Sequence, residues 1–245
     1  MKKILLLVII YSQYSFADVM NLNEFMPTRL EDASPMKEKT TSFQYSSFFE
    51  EHGPEDRHVH RPNLRYGVTE QLQLDAMATL FSGVDEEQSG EIDIGGLYQI
   101  SRSNNWVPIF AINPLFTFPT GKGSKGEDFQ YKIIMSSTIK GTPDAPVTQV
   151  HLNVNHSYND ERKFQERLHQ LAYAIGFAHR LSPNTALIAD IIREEETTKN
   201  ETTDVLEIGI HQSLGGGFQT GIGIGAGLSK ESPSWTGVLG LEKQF

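Results

Sequence analysis

The side chains of this chain richest in chemistry are its eight histidines and an excess of carboxylates, and their spacing decides what they can do together. Glu207 and His211 stand four residues apart, which in an extended segment puts both on one face. His151, Asp190, Glu91 and Asp93 occur in other segments of the same kind, from which they could meet that pair across an enclosed space. A serine–histidine–acid hydrolase could be built from such pieces, but the chain has no Gly-x-Ser-x-Gly elbow and several serines compete for the nucleophile's part. His58 and His60 share a face without a third ligand at metal-site spacing, so no metal and no cofactor is expected. The plainer reading of Asp75, Glu91, Asp93, His151, Asn153, Asp190, Glu207 and His211 is a hydrated interior, partly ion-paired with Arg65, Lys132 and Arg180.

Two glycine patterns invite a nucleotide. Gly121-Lys122-Gly123-Ser124-Lys125-Gly126 matches the dinucleotide fingerprint, and Gly221, Gly223 and Ala226 match its looser form. Neither has the strand-turn-helix setting that aims a helix N-terminus at a pyrophosphate. The first reads as a cationic loop, the second as a glycine stripe that lets a neighbouring element or a solute approach a wall closely. Glu194-Glu195-Glu196 and Asp160-Glu161-Arg162-Lys163 read as solvated hairpin tips, where divalent cations or lipopolysaccharide could engage. The chain lacks cysteine, which rules out disulfide and thiolate chemistry, and its net charge of −10 argues against nucleic acid as a partner.

The elements that must position these groups are strands. In Phe218-Gln219-Thr220-Gly221-Ile222-Gly223-Ile224-Gly225-Ala226-Gly227-Leu228 every second residue is bulky or apolar, and most of the others, Gly221, Gly223 and Gly225 among them, are glycine. One face of that strand is greasy and the other nearly bare, whereas a soluble half-buried strand would carry charge or hydroxyls on its open face. Residues 1–17, with Lys2-Lys3, the run Ile4 to Ile10 and Ser15-Phe16-Ala17, have the three regions of a cleaved secretory leader. Beyond them no run of about 18 apolar residues occurs, so a membrane could be crossed only by a closed barrel. The expected fold is therefore all-β, an antiparallel up-and-down transmembrane barrel of about twelve strands over residues 41–245, in the outer membrane of a diderm bacterium.

Twelve strands are predicted: Thr41–Phe49, His58–Tyr66, Glu70–Phe81, Glu91–Ser101, Trp106–Phe118, Phe129–Ile139, Thr148–Ser157, Leu168–Leu181, Ala186–Arg193, Asp204–Ser213, Phe218–Leu228 and Trp235–Phe245. Counting back from a periplasmic C-terminus, the connections expected outside are charged and mostly long, and those expected inside are compact; Lys140 to Val147 is the exception. Leu206, Ile208 and Ile210 should face lipid, with Glu207, Gly209 and His211 inside; Tyr173, Ile175 and Phe177 should face lipid, with Ala174, Gly176 and Ala178 inside. Pro62, Pro108 and Pro114 suggest bends or bulges. Trp106, Trp235, Tyr66, Tyr98 and Tyr173 suit interfacial girdles. Residues 18–40 look polar and aperiodic and read as a mobile periplasmic arm or a lumen-entering segment, a disordered terminus being the plainer reading.

Gly90-Glu91-Ile92-Asp93-Ile94-Gly95-Gly96-Leu97-Tyr98, followed by Phe118-Pro119-Thr120-Gly121, resembles the outer-membrane family labelled MetA-pathway of phenol degradation, or simply transporter. Ile175-Gly176-Phe177 through Leu181-Ser182-Pro183-Asn184 is similar too, as is Leu206-Glu207-Ile208-Gly209 through Gly227-Leu228-Ser229, with Ser232-Pro233 and the closing Phe245. The resemblance covers roughly Tyr66 to Phe245. It implies a barrel of about twelve strands and passage of small molecules, aromatic or hydrophobic ones among them, and it carries no catalytic or binding residues. Lys243 departs from the pattern, standing where an apolar residue is usual, and can snorkel from the interface.

The expected role is a passive channel or uptake route for a small solute. Its polar lining would be the eight residues named above, its small-residue face Gly176, Gly221, Gly223 and Gly225, and Phe245 its signal to the barrel-assembly machinery. Outer-membrane lipid and lipopolysaccharide are the expected surroundings. A non-transporting surface-interaction barrel and an embedded lipid hydrolase are the alternatives.

Overall fold

The computed structural model describes residues 18–24, 26–51, 56–82, 90–101, 107–120, 128–142, 144–158 and 166–245. The expected leader, the glycine loop at 121–126, Asp160–Lys163 and Trp106 lie outside the described residues.

The strands are β1 (Thr41–Glu50), β2 (Arg57–Gly67), β3 (Gln73–Ser82), β4 (Glu91–Gly95), β5 (Tyr98–Gln99), β6 (Ile109–Pro119), β7 (Asp128–Thr142), β8 (Ala145–Tyr158), β9 (His169–Ser182), β10 (Thr185–Glu195), β11 (Thr202–Gly215), β12 (Phe218–Gly227) and β13 (Trp235–Gln244). Every pairing is antiparallel and joins chain neighbours, except that β4 pairs with β6 past the short β5 and β1 pairs with β13, which closes the circuit. With β4 and β5 forming one interrupted stave, this is a closed twelve-stranded barrel.

Its polarity is inverted relative to a soluble protein. Ile175, Ile222, Ile224 and Leu239 are more than half exposed on the outside, while Ser42, Gln44, Lys132, Asn153, Glu207, His211 and Glu242 are buried inside. Lipid covers the outer row, and that is why the period-two pattern had to be so regular. Polar side chains caught on the outer face satisfy one another: the Tyr45 hydroxyl meets His60 Nδ1 at 2.9 Å, and Thr148 Oγ1 meets His179 Nδ1 at 2.9 Å. Tyr66, Tyr98, Tyr173 and Trp235 face outward. Lys243 lies over the Phe218 ring, 4.2 Å from its centroid, and donates to the Gly216 carbonyl.

Two expectations change. The fourth predicted strand breaks at Gly96-Leu97, opposite Pro114, because proline has no N–H to give the ladder. The sides do not swap: Asp93, Leu97 and Gln99 stay inside, and Ile94 and Tyr98 outside. Lys140 to Val147 is not a long connection, since β7 and β8 extend to within two residues of each other. The extension is bulged at Thr138 and Lys140 and turns through Gly141 at φ 98°.

The larger difference is at residues 18–40, which run inside the barrel. Asp18 sits at the end carrying the short turns, bonded to Arg180 at 2.7 Å. The chain climbs the wall, turns near Pro27–Arg29 and returns, the amide of Asp32 donating to the Leu22 carbonyl at 3.0 Å. It leaves where it entered, with Lys39 N–H bonded to the Gly67 carbonyl at 2.8 Å, and becomes β1. Val19, Met20, Leu22, Met26, Leu30, Ala33 and Met36 of this arm are fully or almost fully buried. Val19, Met20, Leu22 and Leu30 join Ala174, Ala178, Ala186, Ile188 and Ile192 of β9 and β10 in one apolar cluster.

Candidate functional site

The site is the lumen and the arm inside it. Many of the arm's polar contacts are made with wall side chains, because a segment without helix or sheet must find partners for its own N–H and C=O groups. Asn153 accepts from Glu31 N–H at 2.8 Å and donates to the Glu31 carbonyl at 2.9 Å. Ser136 Oγ accepts from Ala33 N–H at 2.9 Å, Gln73 Oε1 from Met36 N–H at 2.9 Å, and His211 Nδ1 meets the Val19 carbonyl at 3.0 Å.

Three cations organise the charges. Arg65, almost wholly buried, pairs with Glu242 at 2.7 Å and donates to Asn23. Lys132 Nζ lies 2.8 Å from both Glu24 and Glu31 of the arm. At the arm's apex, Arg29 offers its backbone N–H (3.0 Å) and Nε (3.2 Å) to Glu207, and Nη1 (2.8 Å) to Glu194. Its guanidinium carbon also stands 5.5 Å from the Phe48 ring centroid. Charge-assisted contacts of this kind are short and strong when both partners are shielded from water.

The predicted lining residues fall into separate groups. Asp190 is buried on β10, directly opposite Glu207 of β11 and Gly176 of β9. Asp93 accepts from the Thr117 hydroxyl at 2.6 Å, with Glu91 above it at the mouth of a cavity. Asp75 lies across from Arg65 and accepts from Gln73 Nε2 at 2.7 Å. His151 Nδ1 faces both Ser136 Oγ at 2.9 Å and an Asp32 oxygen at 3.9 Å. A hydrolytic triad needs acid and nucleophile on opposite ring nitrogens. Here both share Nδ1, and Glu207 and His211 serve different parts of the arm, so these residues do not assemble as a triad.

The glycine face receives the arm. A Cβ at Gly209, Gly221 or Gly223 would run into Pro27, while one at Gly225 would meet Thr236 and Glu207. Gly176 instead makes room for Asp190 of the neighbouring strand. Phe245 is exposed, and its amide donates to the Thr41 carbonyl at 2.8 Å, joining the chain's last residue to the first stave. Among the described residues no group of three metal-ligating side chains occurs.

Sequence reasoning missed Arg29, Glu24, Glu31 and Pro27. The signal was an apolar residue every few positions, at Val19, Leu22, Met26, Leu30, Ala33 and Met36, in a stretch read as polar.

Above the apex, toward the longer connections, a cavity of about 490 Å³ is lined by Arg29, Arg57 and six carboxylates: Glu50, Glu194, Glu195, Glu196, Glu201 and Glu231. A second, of about 250 Å³, shares Arg29, Glu50, Arg57, Asn155 and Glu194 and reaches Lys132 and Asp93. It has an apolar side of Phe48, Val59, Met77 and Leu115. Beside the arm's first limb, the cavity next to Asn23, Arg65 and Asp75 is only about 40 Å³.

No protein-family model and no curated protein matches the sequence. Solved structures match in fold. The KdgM porin aligns with a TM-score of 0.61 at 10% identity, over 83% of this chain and 99% of the porin. A NanC porin structure gives 0.60 at 7%, over 82% and 98%. An outer membrane channel from Pseudomonas putida F1 gives 0.61 at 12%, over 87% and 98%. At these identities the likeness is one of fold: this chain has the architecture of small outer-membrane barrels, with its own N-terminal segment in the lumen.

Proposed function

We propose that the chain is an outer-membrane channel for small solutes, whose external vestibule leads to a lumen occupied by residues 18–40. The observation that carries this reading is the wall beneath the arm. Gln44, Asn113, Lys132, Ser136, Asn153 and Glu207 are polar or charged although the arm covers them, a lining suited to water once uncovered. A twelve-stranded barrel is also wider than the eight-stranded barrels that their own side chains fill. The porins of like fold support the reading, KdgM having been seen in complex with disordered oligogalacturonate.

Among the described residues, six carboxylates against two guanidiniums around the larger cavity favour cations at the entrance. The apolar side of the second cavity supports solutes with an apolar body, in keeping with the resemblance to the MetA-pathway family. The leader at 1–17, export to the outer membrane, Phe245 as assembly signal and contact with lipopolysaccharide belong to the same proposal. A barrel that binds at its external loops without transporting is the second reading, and the filled lumen favours it.

Planar-bilayer conductance separates the two. The full chain without its leader is expected to conduct little, and the barrel lacking residues 18–39 to conduct in steady steps with cation preference. A truncated barrel that shifts its migration on heating, as folded barrels do, and still passes no current would overturn the channel reading.

A further inference from the structure

We propose that residues 18–40 form a retractable plug whose docked position is latched at its apex by Arg29, shared between Glu207 and Glu194. The inference rests on the channel reading for its purpose, though not for its test.

Three observations point to retraction. Both limbs of the arm pass the same rim, at Asp18–Arg180 and at Lys39–Gly67, so the arm can withdraw as a loop without threading the barrel. Its apex rests on glycine: Pro27 lies against Gly209, Gly221 and Gly223, a face with no wall side chains to interlock with it. And the polar wall groups it would release are ones that water can satisfy, so undocking exchanges one set of polar partners for another, and its cost is the apolar contact of Val19, Met20, Leu22 and Leu30 with β9 and β10.

The latch is assigned to Arg29 by electrostatics and position. Asp190 and Glu207 stand directly opposite each other on β10 and β11, both buried. Like charges at such a cross-strand position repel, and burial removes the water that would screen them. Arg29 is the cation that makes the arrangement tolerable, with Nε and its backbone N–H on Glu207. Without its charge the docked arm would press down on an uncompensated Glu207 beside Asp190, and hydration through undocking would be the relief. Arg29 is also the one described arm residue that lines the larger external cavity, and its second partner, Glu194, has a side chain 40% exposed. The Arg29 contact is thus within reach of the larger external cavity, whereas the Lys132 pairs with Glu24 and Glu31 line the second cavity or lie beneath it.

The absence of cysteine allows a clean test on the full chain. Ala33 is fully buried on the returning limb, so an Ala33→Cys thiol should react with a membrane-impermeant maleimide only when the arm leaves its seat. In the refolded barrel, Arg29→Gln is expected to raise the labelling rate by about tenfold or more, the factor that 1.4 kcal/mol represents. Adding Glu207→Gln should bring the rate back toward the parent, which loss of packing alone would not do. Lys39→Gln, at an exposed pair with Glu38, should leave the rate unchanged. If Arg29→Gln does not fold, Glu194→Gln takes its place, with a smaller rise expected.

A folded Arg29→Gln or Glu194→Gln barrel labelled no faster than the parent overturns the latch, as does an Arg29→Gln rate that Glu207→Gln leaves unaltered. The two proposals fail separately. Faster labelling beside a truncated barrel that carries no current supports the latch and removes the channel; unchanged labelling beside a conducting truncated barrel does the reverse.

Discussion

Arg65 shows what a buried charge does in this molecule. It is 3% exposed, Glu242 is fully buried, and the pair joins β2 to the last strand's inner face beside Asn23 of the arm. Such a pair adds little over an apolar replacement of both members, but removing one partner strands the other. Arg65→Met is therefore expected to lower the unfolding free energy by about 3–5 kcal/mol in urea titrations of the liposome-folded barrel. A loss under about 1 kcal/mol would show that water or Asn23 replaces the guanidinium. Gly223 offers a contrasting case at the same scale. Its Cβ would collide with the Pro27 carbonyl rather than with barrel backbone alone, so Gly223→Ala should loosen the arm by about 1–3 kcal/mol, the usual cost of overpacking. The measurement is protease cleavage within residues 18–40, expected to quicken while the barrel's unfolding midpoint barely moves. That Gly221 and Gly223 form a close-approach face is legible in the sequence; that Pro27 makes the approach is not, because nothing local links residues almost two hundred positions apart.

At the scale of the strand, the reading from sequence succeeded wherever lipid enforces alternation. β11, β12 and β13 alternate from end to end, and their bounds fall close to those expected. Ile224 stands outward on β12, 64% exposed, and Ile224→Lys should cost about 2–4 kcal/mol if it lies near the bilayer midplane. Thr220→Lys, nearer the strand's end, should cost less, and equal losses at the two sites would contradict the assigned depth. Legibility failed where backbone geometry, not burial, sets the bounds. The break at Gly96-Leu97 follows from Pro114 on the facing strand, and the long β7–β8 hairpin depends on bulges that apolar spacing does not encode. The proline is plain in the sequence; its effect on the neighbouring stave depends on the register.

For the whole molecule, the informative asymmetry is between its two ends. Large cavities rich in carboxylates open toward the long connections, while the arm's two limbs occupy the end that carries the short turns. Field lines concentrate in a low-dielectric funnel, so charge at the entrance governs which ions gather there. Glu194→Gln with Glu195→Gln, in the barrel lacking residues 18–39, is expected to reduce cation preference measured as a reversal potential in a salt gradient, with a smaller change in single-channel conductance. An unaltered reversal potential would mean that selectivity is set deeper, near Asp93 or Glu207.

The sequence by itself determined the barrel: strand number, chain order, which face of the regularly alternating strands meets lipid, and the polar character of the interior. It could do so because those features follow from a period-two pattern imposed by solvent on both sides of a one-residue-thick wall. Only the tertiary structure decided what fills the lumen. The arm's placement depends on Arg29 meeting Glu207 and Glu194, on Lys132 meeting Glu24 and Glu31, and on Pro27 meeting a glycine face. These are contacts between distant positions in a segment with no regular structure, and such a segment has no period for its partners to leave in the sequence.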